Sequence, residues 1–393
     1  MPTEFVLFYP AELPNKSAGA TRIMAFARML KEIGYRPVML GIAAAGSPAR
    51  RETYHGIECE ILAFPELSLT GIHALKRFAT AKKHVRNWLD ERRKNGTISG
   101  ILFSEYQGYA SFLYSYARKH RIPLFFDAVE WYPREAFKGA FGVFRYMYHA
   151  WNMHISYRSI GNIICISNYL YRHFTGQGCH CIRIPTIVDV DEFIFRELGN
   201  ADKMVLAYAG VPWGKDDIVT VMQAMASLPL LERERIELRL FGVTDEDVRM
   251  HLGKEPAVCS MIGKQIRCFG RVAHESVREE LSKADFTVLF RKSTRKNAAG
   301  FPTKLGESMA AGVPVIANLT SDIGLYLHDG EEGFVCEECS VKACARVLQR
   351  GLCLTEDAKR YMRSRARKQA WESFDYTRYI EALHSFIEET TNL

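Results

Sequence analysis

Nowhere among the 393 residues do about 18 apolar residues run without a charge, so a membrane-spanning helix is not expected. The opening stretch MPTEFVLFYPAELP places no basic segment ahead of a long apolar one, which leads to the expectation of a cytosolic chain without a secretory signal. No strand-like segment is followed by Gly-x-Gly-x-x-Gly, and this speaks against a dinucleotide-dependent oxidoreductase. There is no repeat of fixed period and no low-complexity tract. Paired aspartates in a metal-like setting are also missing, so no metal is expected. The formal charge of +7 is modest for this length, and no nucleic-acid partner is expected.

What is present is the balance of a soluble globular protein, with 48% hydrophobic and 25% charged residues. The length suits two domains. Ten cysteines in a large chain without an export signal read as reduced, mostly buried thiols. Cys336 and Cys339 form one metal-like pair, but Cys344 and Cys353 lack the tight spacing of a second. Cys179, His180 and Cys181 alternate as on a strand, which points neighbours to opposite faces.

Positive charge concentrates at Lys76, Arg77, Lys82, Lys83, Arg86, Arg92, Arg93 and Lys94, interleaved with Leu75, Phe78, Val85, Trp88 and Leu89 at helical spacing. Such a helix can lie on an anionic membrane surface. It can equally be a solvated face opposite a buried stripe.

Residues 5–9 form an apolar run suited to a central parallel strand. A turn with Pro10, Pro14, Asn15, Ser17 and Gly19 follows, then a helical pattern over 23–30 and a strand over 37–41, which together make a βαβ unit. Strand signals continue at 100–104, 123–127, 162–167 and 181–185. The segment from 185 to 202 reads as a linker, after which residues 204–210 start a second α/β pattern continued by strands at 236–242, 266–270, 286–290 and 313–317. The expected domains are 1–195 and 196–370, with an aromatic helical tail over 371–393.

In open parallel sheets ligands lie beyond the carboxyl ends of the strands. After the strand ending at Gly210 comes Val-Pro-Trp-Gly214-Lys215-Asp216, where glycine, a helix start and a lysine suit an anionic phosphate. The spacing from Gly210 to Gly214 is one residue short of a P-loop, and Asp216 stands where Ser or Thr would hold magnesium, which argues against a kinase or ATPase. Farther on, Asn297-Ala-Ala-Gly300-Phe301-Pro302-Thr303-Lys304-Leu-Gly-Glu307 runs from a glycine turn into a helix. Lys304 and Glu307 are three apart and share a helix face, so they can pair with each other. Alternatively, Lys304 and the helix amino terminus can grip a diphosphate while Glu307 accepts two ribose hydroxyls. In the first half, Asp127 and Glu130 at a strand end beside Trp131 and Tyr132 suit a sugar, through hydroxyl hydrogen bonds and ring stacking. The plain alternative for the two aromatics is burial under a loop.

The segment around Gly300, Glu307 and Ala311-Gly312-Val-Pro-Val-Ile316 resembles the signature region of family 4 of the retaining glycosyltransferases, which have the GT-B fold. The likeness extends to Phe269-Gly270-Arg271-Val272-Ala-His-Glu275, similar to the family's nucleobase loop, and to Ile187-Val-Asp189 with Phe193. The resemblance implies two Rossmann-like domains facing across a cleft, with the donor held by the second and the terminal helix returning to the first. It implies that Glu307 binds the donor ribose, that Lys215 and Lys304 bind the diphosphate, and that backbone amides around 300–303, a stretch that includes Gly300, Phe301, Pro302 and Thr303, approach phosphate and sugar. Gly19 would let the backbone pass close to the donor phosphate. The family's first glutamate falls on Ala299 here, and Val211 stands where an arginine often follows Gly210. Arg291 or Lys292 could supply the second positive charge.

The implied activity is metal-independent, cofactor-free transfer of a sugar from a nucleoside diphosphate donor to a glycan or lipid-linked acceptor, with retention. The leaving phosphate itself would take the acceptor proton, and Asp127 or Glu130 would orient the acceptor hydroxyl. Surface-polysaccharide assembly at the inner face of the cell membrane fits the family and the basic helix. An epimerase or phosphorylase on the same scaffold, or a binding partner that has lost turnover, are the alternatives.

Overall fold

The computed structural model describes residues 3–11, 13–14, 17–43, 46–63, 71–104, 108–139, 141–197, 202–252 and 256–391. Asn15 and part of the linker, residues 198–201, lie outside the described residues, as do the side chains of Leu75, Lys76, Arg77, Phe78, His274 and Glu275.

The first half forms strands β1 (Glu4–Phe8), β2 (Arg36–Ile42), β3 (Arg50–Tyr54), β4 (Ile57–Leu62), β5 (Ile98–Phe103), β6 (Leu124–Ala128), β7 (Asn162–Cys165) and β8 (His180–Arg183), of which the charged β3 and β4 lie outside the strand signals of the sequence. They form one sheet in the order β3-β4-β2-β1-β5-β6-β7-β8. Every neighbouring pair is parallel except β3 with β4, where a tight turn returns the chain antiparallel. Val6, Leu7, Val38 and Ile101 are fully shielded, as expected of strands with helices on both faces. The helix Ala18–Ile33 starts where Ser17 accepts from the Ala20 N–H at 3.2 Å and stops at Gly34, whose φ of 105° suits glycine.

The second pattern gives β9 (Met204–Ala209), β10 (Ile236–Phe241), β11 (Ile266–Gly270), β12 (Phe286–Leu289), β13 (Val315–Asn318) and β14 (Gly333–Cys336). This sheet is parallel throughout, in the order β11-β10-β9-β12-β13-β14. Both sheets therefore reverse their winding beside their first strand, between β1 and β5 and between β9 and β12. That is the Rossmann-like arrangement, and a ligand crevice opens at such a switch point.

Two compact units result, residues 1–187 with 376–393 and residues 188–375. Residues 188–195, read from the sequence as the end of the first domain, belong to the second unit. The Val188 N–H donates to the Phe374 carbonyl at 2.9 Å and the Val190 N–H to Asp375 Oδ2 at 3.1 Å, which ties this segment to the end of that unit. The helix Ile380–Thr391 returns to the first unit and buries Leu383, Phe386 and Ile387, with Phe386 5.8 Å from Phe125. Trp371, by contrast, stays partly exposed on the helix Glu356–Ser373.

The basic helix Gly71–Asn95 buries Ala81, Val85, Trp88 and Leu89. Arg92 on it bonds Glu4 at 3.2 Å and also pairs with Glu58 and Glu60. Over its described half this is a solvated face opposite a buried stripe, and its apolar residues are consumed by the core. All ten cysteines are free thiols.

Candidate functional site

Three loops at the carboxyl ends of β9, β10 and β11 meet backbone to backbone because glycines stand where side chains would collide. Gly210 has φ 129° and ends β9, and a Cβ there would stand 3.0 Å from Lys304 Cε and 3.1 Å from its Nζ. Gly242, with φ 87°, would place a Cβ 3.0 Å from the Gly210 carbonyl oxygen. Its N–H donates to the Gly270 carbonyl at 2.6 Å, and the Gly210 N–H donates to that of Phe241 at 2.8 Å.

Beside this junction, at the β9/β12 switch point, lies a charge cluster. Asp216 follows β9 and accepts from Lys304 Nζ at 2.7 Å, from Arg291 Nε at 2.7 Å and from the Tyr208 hydroxyl at 2.8 Å. Its side chain is 3% exposed. Burial alone would raise its pKa, but Lys304 and then Arg291 outweigh burial and hold it at about 2. The Tyr208 phenol is pushed up by burial and by the Asp216 charge. Lys304 Nζ also lies 5.0 Å above the centre of the Tyr208 ring. Lys215 responds the other way: burial first, then the neighbouring Lys296 and Arg291 charges, bring its pKa down to about 8.

The scaffold holding these groups is polar and specific. Arg291, just after β12, donates its backbone N–H to Asn318 Oδ1 and accepts at its carbonyl from Asn318 Nδ2, both at 2.8 Å. Asn297 Nδ2 donates to the carbonyls of Lys215 at 3.1 Å and Lys292 at 2.9 Å, joining the β9 and β12 loops. The helix Arg295–Ala299 is capped by Thr294, and the helix Ile218–Ser227 by Asp217. The helix Thr303–Ala310 instead follows Pro302, with no side chain on its first turn. An uncapped helix start beside Lys304, Arg291 and Lys215 is an arrangement suited to an anion.

Lys304 turns to Asp216 rather than to Glu307. Glu307 is half-buried, and together with Lys304, Tyr208 and Ser308 it lines a small pocket. Gly300 ends the preceding helix in an extended conformation, φ −80° and ψ 164°. Phe301 packs its ring inward, 5.6 Å from Tyr326 and 6.0 Å from Phe374, so only its backbone is available to a ligand. Pro302 is buried and has no N–H to give, while Thr303 is half-buried. Arg271 is exposed and Val272 half-buried in the loop after β11, next to Phe269, which stacks on Phe241 at 4.8 Å. Ala299 is fully buried.

The first-unit expectations fare differently. Asp127 is 1% exposed and both its oxygens are taken by Arg22, whose Nε lies 3.1 Å from Oδ1 and 3.0 Å from Oδ2. Arg22 also bonds the Ile184 carbonyl at 2.9 Å. Asp127 thus has no surface for an acceptor and serves as a buried structural anion. Trp131 does not offer a stacking face, because it is buried 4.3 Å from the His173 ring. Glu130 and Tyr132 remain half-buried at the end of β6. At Gly19 the Tyr9 ring occupies the space a Cβ would take, so the close approach that glycine permits is filled from within its own unit.

Asp216 was missed as a site residue. Its signal in the sequence was a mismatch to the P-loop pattern, and only the fold shows that it gathers Lys304 and Arg291. Asn297 and Gly242 carried no signal of their own.

Residues 189–369 match the family model of Glycosyl transferases group 1. Among solved structures, the chain is similar to sucrose-phosphate synthase from Thermosynechococcus elongatus, with a TM-score of 0.77 at 16% identity over 98% of each chain. It is similar to HepE from Anabaena in complex with UDP and glucose, with a TM-score of 0.68 at 14% identity over 98% of this chain and 100% of that one. A third structure, a trehalose-6-phosphate protein from E. coli bound with UDP-2-fluoro glucose, has a TM-score of 0.72 at 10% identity over 100% and 99%. No curated protein matches the sequence. Identities this low speak for the fold alone, whereas the family model covers the residues around the charge cluster. Residues 189–369 thus form a group 1 glycosyl transferase domain, and the chain as a whole has the GT-B fold.

Proposed function

We propose that this glycosyltransferase takes its sugar from a nucleoside diphosphate donor bound at the β9/β12 switch point, and transfers it with retention to a glycan or lipid-linked acceptor. The observation that carries the reading is the cationic set Lys304, Arg291 and Lys215 beside the uncapped start of the helix Thr303–Ala310. These groups can hold a diphosphate without a metal ion, since fixed cations and helix N–H groups supply the charge stabilisation that the leaving group needs. Glu307, three residues beyond Lys304, accepts the ribose hydroxyls in this reading. The nucleobase lies along Arg271 and Val272, and the backbone of 300–303 approaches the phosphate and sugar. Two of the similar structures contain a UDP-derived ligand, which supports a nucleotide-sugar donor.

In the transfer, the bond from the anomeric carbon to the diphosphate oxygen breaks and the bond to the acceptor oxygen forms on the same face. The acceptor proton passes to the departing phosphate. With Asp127 buried against Arg22, Glu130 is the first-unit carboxylate left to orient an acceptor hydroxyl. Surface-polysaccharide assembly is the setting that the family resemblance implies.

The test is a binding and turnover screen against UDP-, GDP-, ADP- and dTDP-sugars with the wild type, Lys304→Ala and Glu307→Ala. Binding and slow hydrolysis of one donor by the wild type, lost in both variants, supports the reading. Conversion of a nucleotide sugar to its epimer without acceptor would replace it.

A further inference from the structure

The segment 141–160 buries Met153, Tyr157 and Ile160 yet turns a second apolar row outward. It runs as the helix Gly142–Trp151, one π-helical turn Asn152–Ser156 and a last turn Tyr157–Ile160. A surface helix ordinarily buries its apolar stripe and wets its polar one. Here Phe141 and Phe144 are each 69% exposed, Met147 60%, Trp151 43% and Ile155 50%. Phe141, Phe144, Met147 and Trp151 recur at three- and four-residue steps and so share one face of the helix. Meanwhile Asn152 and Ser156 face inward, 3% and 8% exposed, and the Asn152 Oδ1 and Ser156 Oγ atoms are buried without a hydrogen-bond partner. An apolar face turned outward over buried polar groups costs stability in water and marks a surface that is covered in use.

Charge says what covers it. From residue 138 to residue 160 the sequence has no Asp or Glu but carries Lys138, Arg145 and Arg158, all three exposed. Large aromatic side chains flanked by cations are what an anionic lipid surface takes up, with the rings at the headgroup boundary and the cations on the phosphates. The apolar face spans fifteen residues, about 22 Å as helix, too short to cross a bilayer but long enough to lie along one. No described helix is long and apolar enough to cross a membrane.

We propose that the face Phe141, Phe144, Met147, Trp151 and Ile155 docks the protein in-plane on an anionic bilayer. This replaces the basic helix Gly71–Asn95 as the membrane contact. It deepens the lipid-linked acceptor reading by putting the enzyme where such an acceptor resides, and it rests on that reading only for its purpose.

The experiment is co-sedimentation of the full chain with vesicles of phosphatidylcholine alone and with vesicles containing about a third phosphatidylglycerol. The wild type and the double variant Phe144→Asp/Met147→Asp are compared, and Lys83→Glu/Arg86→Glu serves as the control on the basic helix. Both altered pairs are exposed, and circular dichroism checks that the fold is kept. We expect the wild type to pellet with anionic vesicles, the Phe144/Met147 variant to partition at least about tenfold less, and the control to partition within about twofold of wild type. Nucleotide-sugar binding in solution is measured on the same samples and should be unchanged, so that loss of docking and failure of the donor reading are separated. Equal partitioning of wild type and Phe144→Asp/Met147→Asp overturns the proposal. So does a wild type that ignores both vesicles, or one that is a dimer which the double variant dissolves into monomers.

Discussion

Lys304 Nζ lies 2.7 Å from Asp216 Oδ2, and the other oxygen of the same carboxylate takes Arg291 Nε at 2.7 Å. One buried anion thereby fixes two cations from different loops of the second unit. It offsets the repulsion between these like charges, and in the proposed reading it sets the position from which they would meet a donor.

Removing that anion should cost stability as well as binding. Asp216→Ala leaves Lys304 and Arg291 beside each other without a counter-charge, and breaking a buried pair in this way costs about 3 kcal/mol. Denaturant unfolding should show this loss, and the folded variant should bind the donor more weakly because Lys304 is no longer held.

The same carboxylate gives a pH signature. Its folded pKa of about 2 lies below the ordinary 3.8, so its contribution is fully present above pH 3.8 and is lost as pH falls through about 2. The difference corresponds to about 2 kcal/mol. Between roughly pH 4 and pH 2 the wild type should lose that much more stability than Asp216→Asn, which has nothing to titrate there. Equal acid sensitivity of the two proteins would show that the pair contributes nothing.

Lys215 gives the complementary test at high pH. With its pKa lowered to about 8, it loses its charge just above neutrality, whereas a diphosphate at the site favours the charged form. Donor affinity should therefore fall as pH rises above 8, and binding there should take up a proton, measurable by calorimetry in buffers of different ionisation enthalpy. Lys215→Arg, which stays charged, should bind with a flat profile over this range.

Backbone space is as important as charge. Gly210→Ala places a Cβ 3.0 Å from Lys304 Cε at a residue with φ 129°. We expect a stability loss of about 1–3 kcal/mol and a displaced Lys304. Donor affinity should fall by more than the unfolded fraction explains.

Asp127 separates structure from chemistry. Asp127→Ala should destabilise the first unit by about 3 kcal/mol through the stranded Arg22, while kcat per folded molecule stays near wild type. A large loss of kcat in a fully folded variant would return Asp127 to the acceptor.

These predictions also show what was readable in the sequence. Most of the parallel strands were legible because they are short apolar runs between glycine, proline and polar turns, and residues such as Leu206, Leu240 and Ile316 are completely buried, whereas β4, with Glu58 and Glu60 among its apolar residues, and the four-residue β14 were not read as strands. The segment from Asn297 to Ile316 was legible as a glycine turn running into a helix and then a strand, and Gly300, the helix Thr303–Ala310 and β13 follow that order. Long-range pairing was not. Arg22 is distant in sequence from Asp127, so a strand-end carboxylate looked available when an arginine on the first helix already held it. Asp216 looked like a failed magnesium ligand because the two cations it serves lie far along the chain. The outward face of 141–155 left no mark either, since aromatics at helical spacing look the same whether they meet a core or a solvent.

The most direct test of the central claim is the equilibrium binding of nucleotide sugars, UDP-sugars first, to the wild type and to Lys304→Ala and Glu307→Ala, with slow donor hydrolysis followed in parallel. The account predicts that one donor binds and is hydrolysed by the wild type, and that each variant loses at least about tenfold in affinity, the loss of one charge-assisted contact, while keeping its fold. Equal donor affinity in all three proteins, or no affinity in any, would contradict the assignment of the donor site to the β9/β12 switch point.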